Sequence, residues 1–170
     1  LVFALKRYEK KRKKKFNSFL EIGYAAGVNN SFLNKLFNFK NSVSIDIVGP
    51  TNINTSTFYS NLRFKNIVLI CGDSTSFHVI QKAILMGPYD FIFVDGGHTY
   101  DVIKKDFQNY SKALSKNGVI AFHDIKSNVE SGPPKFWSEL KKKHRKNWNF
   151  FEFFDPGHHT VYGIGLAIKK

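Results

Sequence analysis

The chain has 170 residues, of which 42 % are hydrophobic and 16 % aromatic, and its formal net charge is +13. That apolar content is enough to build a packed core, which excludes an intrinsically disordered chain. Residues 1–15 carry +7 and residues 141–146 carry +5, so the rest is near neutral, which excludes a histone-like protein that coats nucleic acid.

The chain begins with a basic segment, residues 1–16, which we interpret as a helix or arm before the main domain, residues 17–170. Seven short apolar runs follow, each rich in β-branched or aromatic residues. A continuous rather than alternating apolar pattern is typical of strands buried on both faces of a parallel sheet. The predicted strands are 18–23, 43–48, 66–73, 89–96, 118–125, 148–154 and 160–168.

Segments of helical length separate the first strands. The clearest is 99–115, where apolar residues recur at helical spacing and Asn117-Gly118 marks the end. The alternation predicts a Rossmann-like, doubly wound α/β fold with a mostly parallel seven-stranded sheet and helices on both faces. Only the loop 155–159 separates the last two strands, which predicts a closing antiparallel hairpin. The other predicted helices are 30–38, 51–62, 75–86 and 134–146.

Acidic residues lie near the carboxyl ends of the first five predicted strands. In parallel sheets, ligands bind outside the carboxyl ends of the strands. One such acid is equally well explained as a helix N-cap, but five together favour a site for a cation, a hydroxyl-rich ligand or a metal ion. The five acids are Glu21, Asp46, Asp73, Asp95 and Asp124.

The first strand-to-helix turn reads Glu21-Ile-Gly23-Tyr24-Ala25-Ala-Gly27. Ala25 occupies the position where a dinucleotide-binding loop needs its second glycine, and residues 23–34 contain no Lys or Arg. Both observations argue against a phosphate site and favour a nucleoside without phosphates.

Two later strand ends complete the predicted nucleoside site. Asp46 is placed to accept hydrogen bonds from ribose hydroxyls, and Asp73 with Ser74 is placed near an adenine edge. Cys71 is interpreted as a small buried side chain.

The ordered series LEIGYAAG, SIDI, CGDS, FVDGGHTYDVIKKDF and NGVIAFHDI resembles the class I S-adenosylmethionine-dependent methyltransferases. The stretch V-D-G-x-H-x-Y-x-x-x-x-x-D, followed by G-x-I-x-x-H-D, is similar to the methyltransferase-24 type, which includes the macrocin-type sugar O-methyltransferases. The resemblance covers residues 18–168. It implies an enzyme that transfers a methyl group from S-adenosylmethionine to a hydroxyl of a sugar, glycan or small metabolite.

The resemblance also implies roles for individual residues. His98 would be the general base, with Asp95 as a second catalytic residue, and Mg²⁺ would be an optional second cofactor. Asp95, His123 and Asp124 would bind that metal, although His-Asp departs from the paired carboxylates or Asp-Asn of metal-dependent members. The S-adenosylmethionine site would comprise Glu21, Gly23, Tyr24, Gly27, Asp46, Asp73, Ser74 and Asp95.

Two other functions stay open at this point. The basic segments 6–15 and 141–146 would recruit nucleic acid if the chain were an RNA methyltransferase, although solvated basic faces are the commoner explanation. The chain would otherwise be a non-catalytic module that keeps the nucleoside pocket. A homodimer is compatible with the family, but nothing in the sequence requires one.

The single cysteine excludes an internal disulfide framework and a cysteine-based zinc site. No apolar run approaches the ~18–20 residues that a membrane-spanning helix needs. The first residues place apolar side chains before basic ones, the reverse of a secretory signal. We therefore expect a cytoplasmic protein with no transmembrane segment.

Overall fold

The computed structural model describes residues 1–48, 67–126, 132–154 and 163–170. The predicted helix 51–62 and the loop 155–159, which contains His158 and His159, lie outside the described residues.

A seven-stranded sheet forms the centre of the molecule, with the order β3-β2-β1-β4-β5-β7-β6. The first five strands pair in parallel, whereas β7 runs antiparallel to both β5 and β6. The predicted mostly parallel sheet with a closing hairpin is thus confirmed. The strands are β1 (Ser18–Ile22), β2 (Asn41–Asp46), β3 (Ile67–Cys71), β4 (Tyr89–Val94), β5 (Leu114–Phe122), β6 (Trp148–Phe154) and β7 (Gly163–Lys169).

Helices cover both faces of the sheet, and each face has its own apolar core. Leu5 and Phe37 pack against one face, whereas Val79, Phe107 and Phe136 pack against the other. The described α-helices are α1 (Val2–Arg12), α2 (Val28–Phe37), α3 (Phe77–Leu85), α4 (Tyr100–Tyr110) and α5 (Gly132–His144). None of the helices in the described ranges is both long and apolar enough to cross a lipid bilayer.

Helix α4 is shorter than its apolar periodicity predicts. It ends at Tyr110, and a short 3₁₀ turn, Ser111–Ala113, leads directly into β5. The pairing of β4 with β5 shifts register between Tyr89 and Phe91, and Asn117 adopts a left-handed conformation with φ 61°. Asn117 therefore lies in an irregular start of β5 rather than at a helix end.

The N-terminal basic segment folds onto the domain as α1. Leu5 and Phe16 are fully buried, and the Arg12 guanidinium lies 4.0 Å from the Phe16 ring centroid. Arg12 and Lys14 also contact the Asp90 carboxylate at 3.7 and 3.2 Å. Apolar packing and a half-buried ion pair therefore hold this segment against the sheet.

The expectation that Cys71 is buried is wrong. Cys71 is the last residue of β3 and carries an exposed free thiol. Because β3 is an edge strand of the sheet, it lacks the cover that the central strands receive from both sides.

Candidate functional site

A cleft of about 490 Å³ opens at the carboxyl ends of the parallel strands. Five of the residues predicted to bind the cofactor lie in its wall: Gly23, Asp46, Asp73, Ser74 and Asp95. The strands bring them together because parallel strands end at the same edge of a sheet. The other lining residues are Ile22, Ala25, Ile45, Ile47, Gly72, Gly96, Gly97 and Val102.

Gly23 forms the floor of the cleft where β1 passes close to the end of β4. Its φ is +93°, and a Cβ built there would lie 2.0 Å from the Asp95 carbonyl oxygen. Only glycine fits that space and that conformation. Its N–H donates to the Ile45 carbonyl at 2.9 Å, which ties the loop to β2.

Asp46 links the glycine loop to the end of β2. Its Oδ2 accepts the Ala25 N–H at 2.7 Å and its Oδ1 accepts the Val48 N–H at 2.8 Å. A carboxylate offers about four lone-pair sites, so it retains acceptor capacity toward the cleft. Ala25 adopts φ 44° at this point, a left-handed conformation that costs an L-residue roughly 1–2 kcal/mol.

Asp73 forms a local turn at the end of β3. Its Oδ1 accepts both the N–H and the hydroxyl of Thr75, at 2.7 and 2.8 Å, and these bonds hold the pKa of Asp73 below its usual value. Behind it, the Ser74 carbonyl accepts the Tyr110 hydroxyl at 2.7 Å. The far wall of the cleft is thus anchored to α4.

Glu21 lies beneath the cleft rather than in its wall. Its side chain is fully buried, and burial raises its pKa to about 8. Oε2 accepts the Ser44 hydroxyl at 2.9 Å, and Ser44 in turn accepts the Asn30 amide at 2.7 Å. Glu21 therefore belongs to a buried polar network between β1, β2 and α2. From this position it does not contact a ligand in the cleft directly.

Tyr24 and Gly27 also lie outside the lining of the cleft. Tyr24 is buried, and its carbonyl accepts the Gly27 N–H at 2.7 Å. Gly27 has φ 72° and precedes the first residue of α2 as its N-cap. Both residues shape the turn that carries Gly23, so their predicted role in cofactor binding would be indirect.

A cluster of two carboxylates and two imidazoles adjoins the cleft at Asp95. His123 Nδ1 lies 3.2 Å from Asp95 Oδ1 and 2.9 Å from Asp124 Oδ1. His98 Nε2 lies 3.8 Å from Asp124 Oδ2, and the His98 side chain is 60 % exposed. The structure thus brings together the four residues predicted for catalysis and metal binding.

Asp95 is the residue that the cleft and the cluster share. Burial raises the pKa of this carboxyl above its usual value, and the neighbouring Asp124 acts in the same direction, while His123 opposes them. Asn29 donates to Asp95 Oδ2 at 3.1 Å from the first turn of α2. The carboxyl is therefore held from two sides at the junction.

The predicted metal ligands are close in space without forming a three-ligand site. His123 Nδ1 stands between the two carboxylates of Asp95 and Asp124. In the described ranges, no group of three or more His, Cys, Asp or Glu side chains is arranged to hold a metal ion. These side chains as placed do not fit a divalent cation, and metal binding stays a prediction.

Four residues at this site were missed by sequence reasoning. Gly132 starts α5 directly against the loop of His98, since a Cβ there would lie 2.6 Å from the His98 carbonyl. Asn29 and Asn30 are polar residues on α2, which helical periodicity alone assigns to a solvated face. The fourth, Asp106, is a fully buried acid on α4, and burial raises its pKa to about 6. Its only sequence signal is its place as the last residue of the motif that begins V-D-G-x-H.

Comparison with protein families gives a match over most of the domain. The sequence model of the methyltransferase-24 family, described as a methyltransferase domain, matches residues 20–125. An uncharacterized protein of Acanthamoeba polyphaga mimivirus is 30 % identical over 114 residues, which are 63 % of this chain and 51 % of that protein. An uncharacterized protein of Sinorhizobium fredii is 38 % identical over 52 residues, 30 % of this chain and 6 % of that protein. The chain thus spans about half of the first relative and a small part of the second.

Solved structures share the fold at low sequence identity. An O-methyltransferase from Bacillus cereus in complex with SAH superimposes with TM-score 0.74 at 16 % identity, over 99 % of this chain and 80 % of that one. MycE methyltransferase from the mycinamycin biosynthetic pathway, in complex with Mg and SAH, gives 0.66 at 14 %, over 98 % and 48 %. An rRNA methylase from Streptococcus thermophilus gives 0.71 at 13 %, over 98 % and 94 %.

Proposed function

Because the chain belongs to the methyltransferase-24 family, we propose that it transfers a methyl group from S-adenosylmethionine to a hydroxyl oxygen of a small acceptor. One observation supports this most directly. Asp95 lies both in the wall of the nucleoside-sized cleft and in contact with an imidazole–carboxylate cluster. A methyl donor in the cleft and a proton acceptor in the cluster would then be neighbours.

The cleft fits S-adenosylmethionine in shape and in charge. Gly23 keeps its floor open, since any Cβ there would fill the gap between β1 and β4. Among the residues that the structure describes, the lining includes three carboxylates and no Lys or Arg, which suits a cationic ligand and disfavours a phosphate. We assign the ribose hydroxyls to Asp46, and the adenine to Asp73 and Ser74. When bound, the cofactor supplies an electrophilic methyl group on a sulfonium.

The cluster supplies the proton chemistry that a hydroxyl acceptor needs. An alcohol oxygen is a poor nucleophile until its proton is removed, and a positioned base contributes typically 10²–10⁴-fold to such a step. We assign the base to His98, whose imidazole is exposed and which directly follows Gly96 and Gly97 of the cleft wall. The Asp124 carboxylate faces His98 Nε2 and stabilises the imidazolium that forms.

The acceptor class rests on the family resemblance and on the solved relatives. Another crystal structure of MycE holds mycinamycin VI together with Mg and SAH. A sugar hydroxyl is our first choice of acceptor for this chain, with other small hydroxylated metabolites next. Mg²⁺ enters this proposal only as a condition to be tested, because the described side chains do not converge on a cation.

Calorimetric titration with S-adenosylhomocysteine tests the cofactor site. We expect micromolar binding, and we expect Asp46→Asn to weaken it at least tenfold because the ribose loses a charged acceptor. Asp101→Asn is the matched control, since Asp101 is an exposed acid in the first turn of α4, outside the cleft. Titrations with Mg²⁺ and with EDTA show whether a cation contributes, and NAD serves as the negative ligand.

Two results would contradict the proposed methyl transfer. Absence of S-adenosylhomocysteine binding by a folded chain would overturn the proposal. Binding without methylation of any sugar or small hydroxylated acceptor would instead favour the non-catalytic module.

A further inference from the structure

The basic N-terminal segment reaches the amino end of β5 in the folded sheet. At the end of α1, Arg12 Nη1 and the Tyr8 hydroxyl each donate to the Asn117 carbonyl at 3.3 Å. Asn117 lies at the irregular start of β5, beside the exposed Lys116. Residues more than 100 positions apart thus become neighbours, at the amino ends of the parallel strands.

A groove of about 410 Å³ lies where the residues before β5, the start of β6 and the end of β7 come together. Its wall combines basic side chains with buried aromatic rings, and the Phe107 ring centroid lies 5.6 Å from His144 and 5.8 Å from Trp148. In the part of the chain that the structure describes, no acid lines the groove; its lining residues are Phe107, Ser111, Lys112, His144, Lys146, Asn147, Trp148, Lys169 and Lys170. We call this groove, together with Lys116 and residues 10–15, the basic edge.

Two basic residues at the end of α5 are neutralised by nearby acids. Lys141 pairs with Glu152 and Lys143 pairs with Glu139. Lys141 and Lys143 also lie in the last turn of α5, where cations interact favourably with the helix dipole.

The lysines of the groove have no such compensation. Across residues 1–48, 67–126, 132–154 and 163–170, no ion pair to an acid involves Lys112, Lys146, Lys169 or Lys170. Lys170 Nζ donates to the Arg145 carbonyl at 3.1 Å, which is the contact that holds it at the rim. Four like charges around one concavity repel each other unless an anion neutralises them.

The basic edge is separate from the methyl-transfer cleft. The cleft lies at the carboxyl ends of the parallel strands, and the basic edge lies at their amino ends. A strand of five or six residues spans roughly 16–20 Å. A ligand seated in the groove therefore does not present itself to the cofactor site, and the basic edge is a docking surface rather than an acceptor channel.

We infer that the basic edge binds the phosphate backbone of a nucleic acid. Exposed lysines lie after α1, at Lys116 and around the groove, and several separate cations match a chain of phosphates better than a single phosphate group. Within the described ranges, none of the exposed large apolar side chains lines the groove, and Phe107 and Trp148 are each 7 % exposed. A membrane-binding surface would instead expose apolar side chains for insertion among lipids.

Fluorescence anisotropy with a labelled 20-nucleotide RNA tests this inference. We compare the unsubstituted chain with K146E/K169E, which reverses two charges in the groove. The control K82E/K135E makes the same change of net charge at exposed lysines outside the groove. Thermal unfolding and S-adenosylhomocysteine titration establish that both variants are folded.

For the unsubstituted chain, the logarithm of the RNA association constant should fall linearly with the logarithm of the salt concentration. The groove variant should bind at least tenfold more weakly, with a salt slope smaller by about 1.4, because each phosphate contact to a single strand contributes ~0.7. The control variant should lose less than about twofold.

Three results would overturn the inference. The first is no RNA binding at 50 mM salt, and the second is an equal loss in both variants, which would reflect net charge alone. The third is a groove variant that loses binding to vesicles with 30 % anionic lipid while its RNA binding is unchanged. Since none of these measurements involves methyl transfer, the inference stands or fails independently of the proposed function.

Discussion

The two ends of the sheet have opposite chemistry. At the carboxyl ends of the parallel strands, a cleft and its adjoining cluster collect Asp46, Asp73, Asp95 and Asp124. At the amino ends, a groove of similar size has lysines and no acid among its described lining residues. A net charge of +13 therefore describes neither site, since the described lining of the cleft is acidic and that of the groove is basic, although Asp90 also lies at the amino end of β4.

Part of that segregation follows from α/β architecture itself. In a parallel βα unit, helices begin at the carboxyl ends of the strands and end near the amino ends. Helix N-termini favour acids and helix C-termini favour bases, each by about 0.3–1 kcal/mol. Asp101 in the first turn of α4 and Lys141 to Lys143 in the last turn of α5 follow this rule. The helix dipole does not explain why Asp95 or the groove lysines are charged, and these are residues to which we assign function.

The most severe substitution should be at the floor of the cleft. Gly23→Ala would place a methyl group 2.0 Å from the Asp95 carbonyl oxygen, so β1 and β4 would have to separate. We expect S-adenosylhomocysteine affinity to fall more than 100-fold and the melting temperature to drop, measured by calorimetry and thermal unfolding. RNA binding at the opposite end should survive in whatever fraction stays folded.

Gly96→Ala is the matched control for that substitution. Its Cβ would approach the Ile22 Cγ2 methyl most closely, at 3.2 Å, and that side-chain methyl is able to shift. A Gly96→Ala variant as defective as Gly23→Ala would show that the cleft rejects any added methyl, whether or not it separates the strands.

The next effect concerns the His98 imidazole of the cluster. His98→Ala removes the assigned base, so the methyl-transfer rate to a hydroxyl acceptor should fall by about 10²–10⁴. S-adenosylhomocysteine affinity should stay within twofold, because His98 does not line the cleft. His78→Ala is the control, since His78 is an exposed histidine on α3. An unchanged rate in His98→Ala would remove the base from our proposal.

A more modest effect concerns the pH dependence of stability, for which the two ends of the sheet each contribute one buried acid, Glu21 and Asp90. Burial raises the pKa of Glu21 to about 8, so between pH ~4.5 and 8 the folded chain holds a proton that the unfolded chain has released. Stability therefore falls as pH rises through this window, by at most ~1.4 kcal/mol per pH unit. Glu21→Gln should remove that slope, as measured by urea unfolding at several pH values.

Asp90 should behave in the opposite sense. Burial acts to raise the pKa of Asp90, but bonds from Asn17, Ser115 and Lys14 outweigh it and hold the pKa below its usual value. The stability that Asp90 contributes is present above pH ~4 and is lost as pH falls through its lowered pKa. Asp90→Asn should thus be destabilised at neutral pH and should approach the unsubstituted chain in acid. If the free energy of unfolding of the Glu21→Gln and Asp90→Asn variants changed with pH in the same sense relative to the unsubstituted chain, the opposite roles of the two acids would be contradicted.

Much of the fold was predictable because its signals are local. The apolar runs at β1, β2, β4 and β5 need only a short window to be recognised, and the structure confirms the sheet with its closing hairpin. The extent of α4 was not predictable in the same way. Its periodic pattern continues past Tyr110, but pairing of Leu114 with Tyr89 converts the end of that segment into strand.

The order of residues along the chain establishes which acids follow which strands, and hence that five of them gather near one edge. Their individual environments depend on tertiary packing. Glu21 faces the buried Ser44 and Asn30 because it lies within β1, whereas Asp95 reaches the cleft because it follows the last residue of β4. The contact of Arg12 and Tyr8 with the Asn117 carbonyl was equally invisible, since it joins residues 105 and 109 positions apart. Local patterns specify elements, but a site is specified by side chains that only the packed chain brings together.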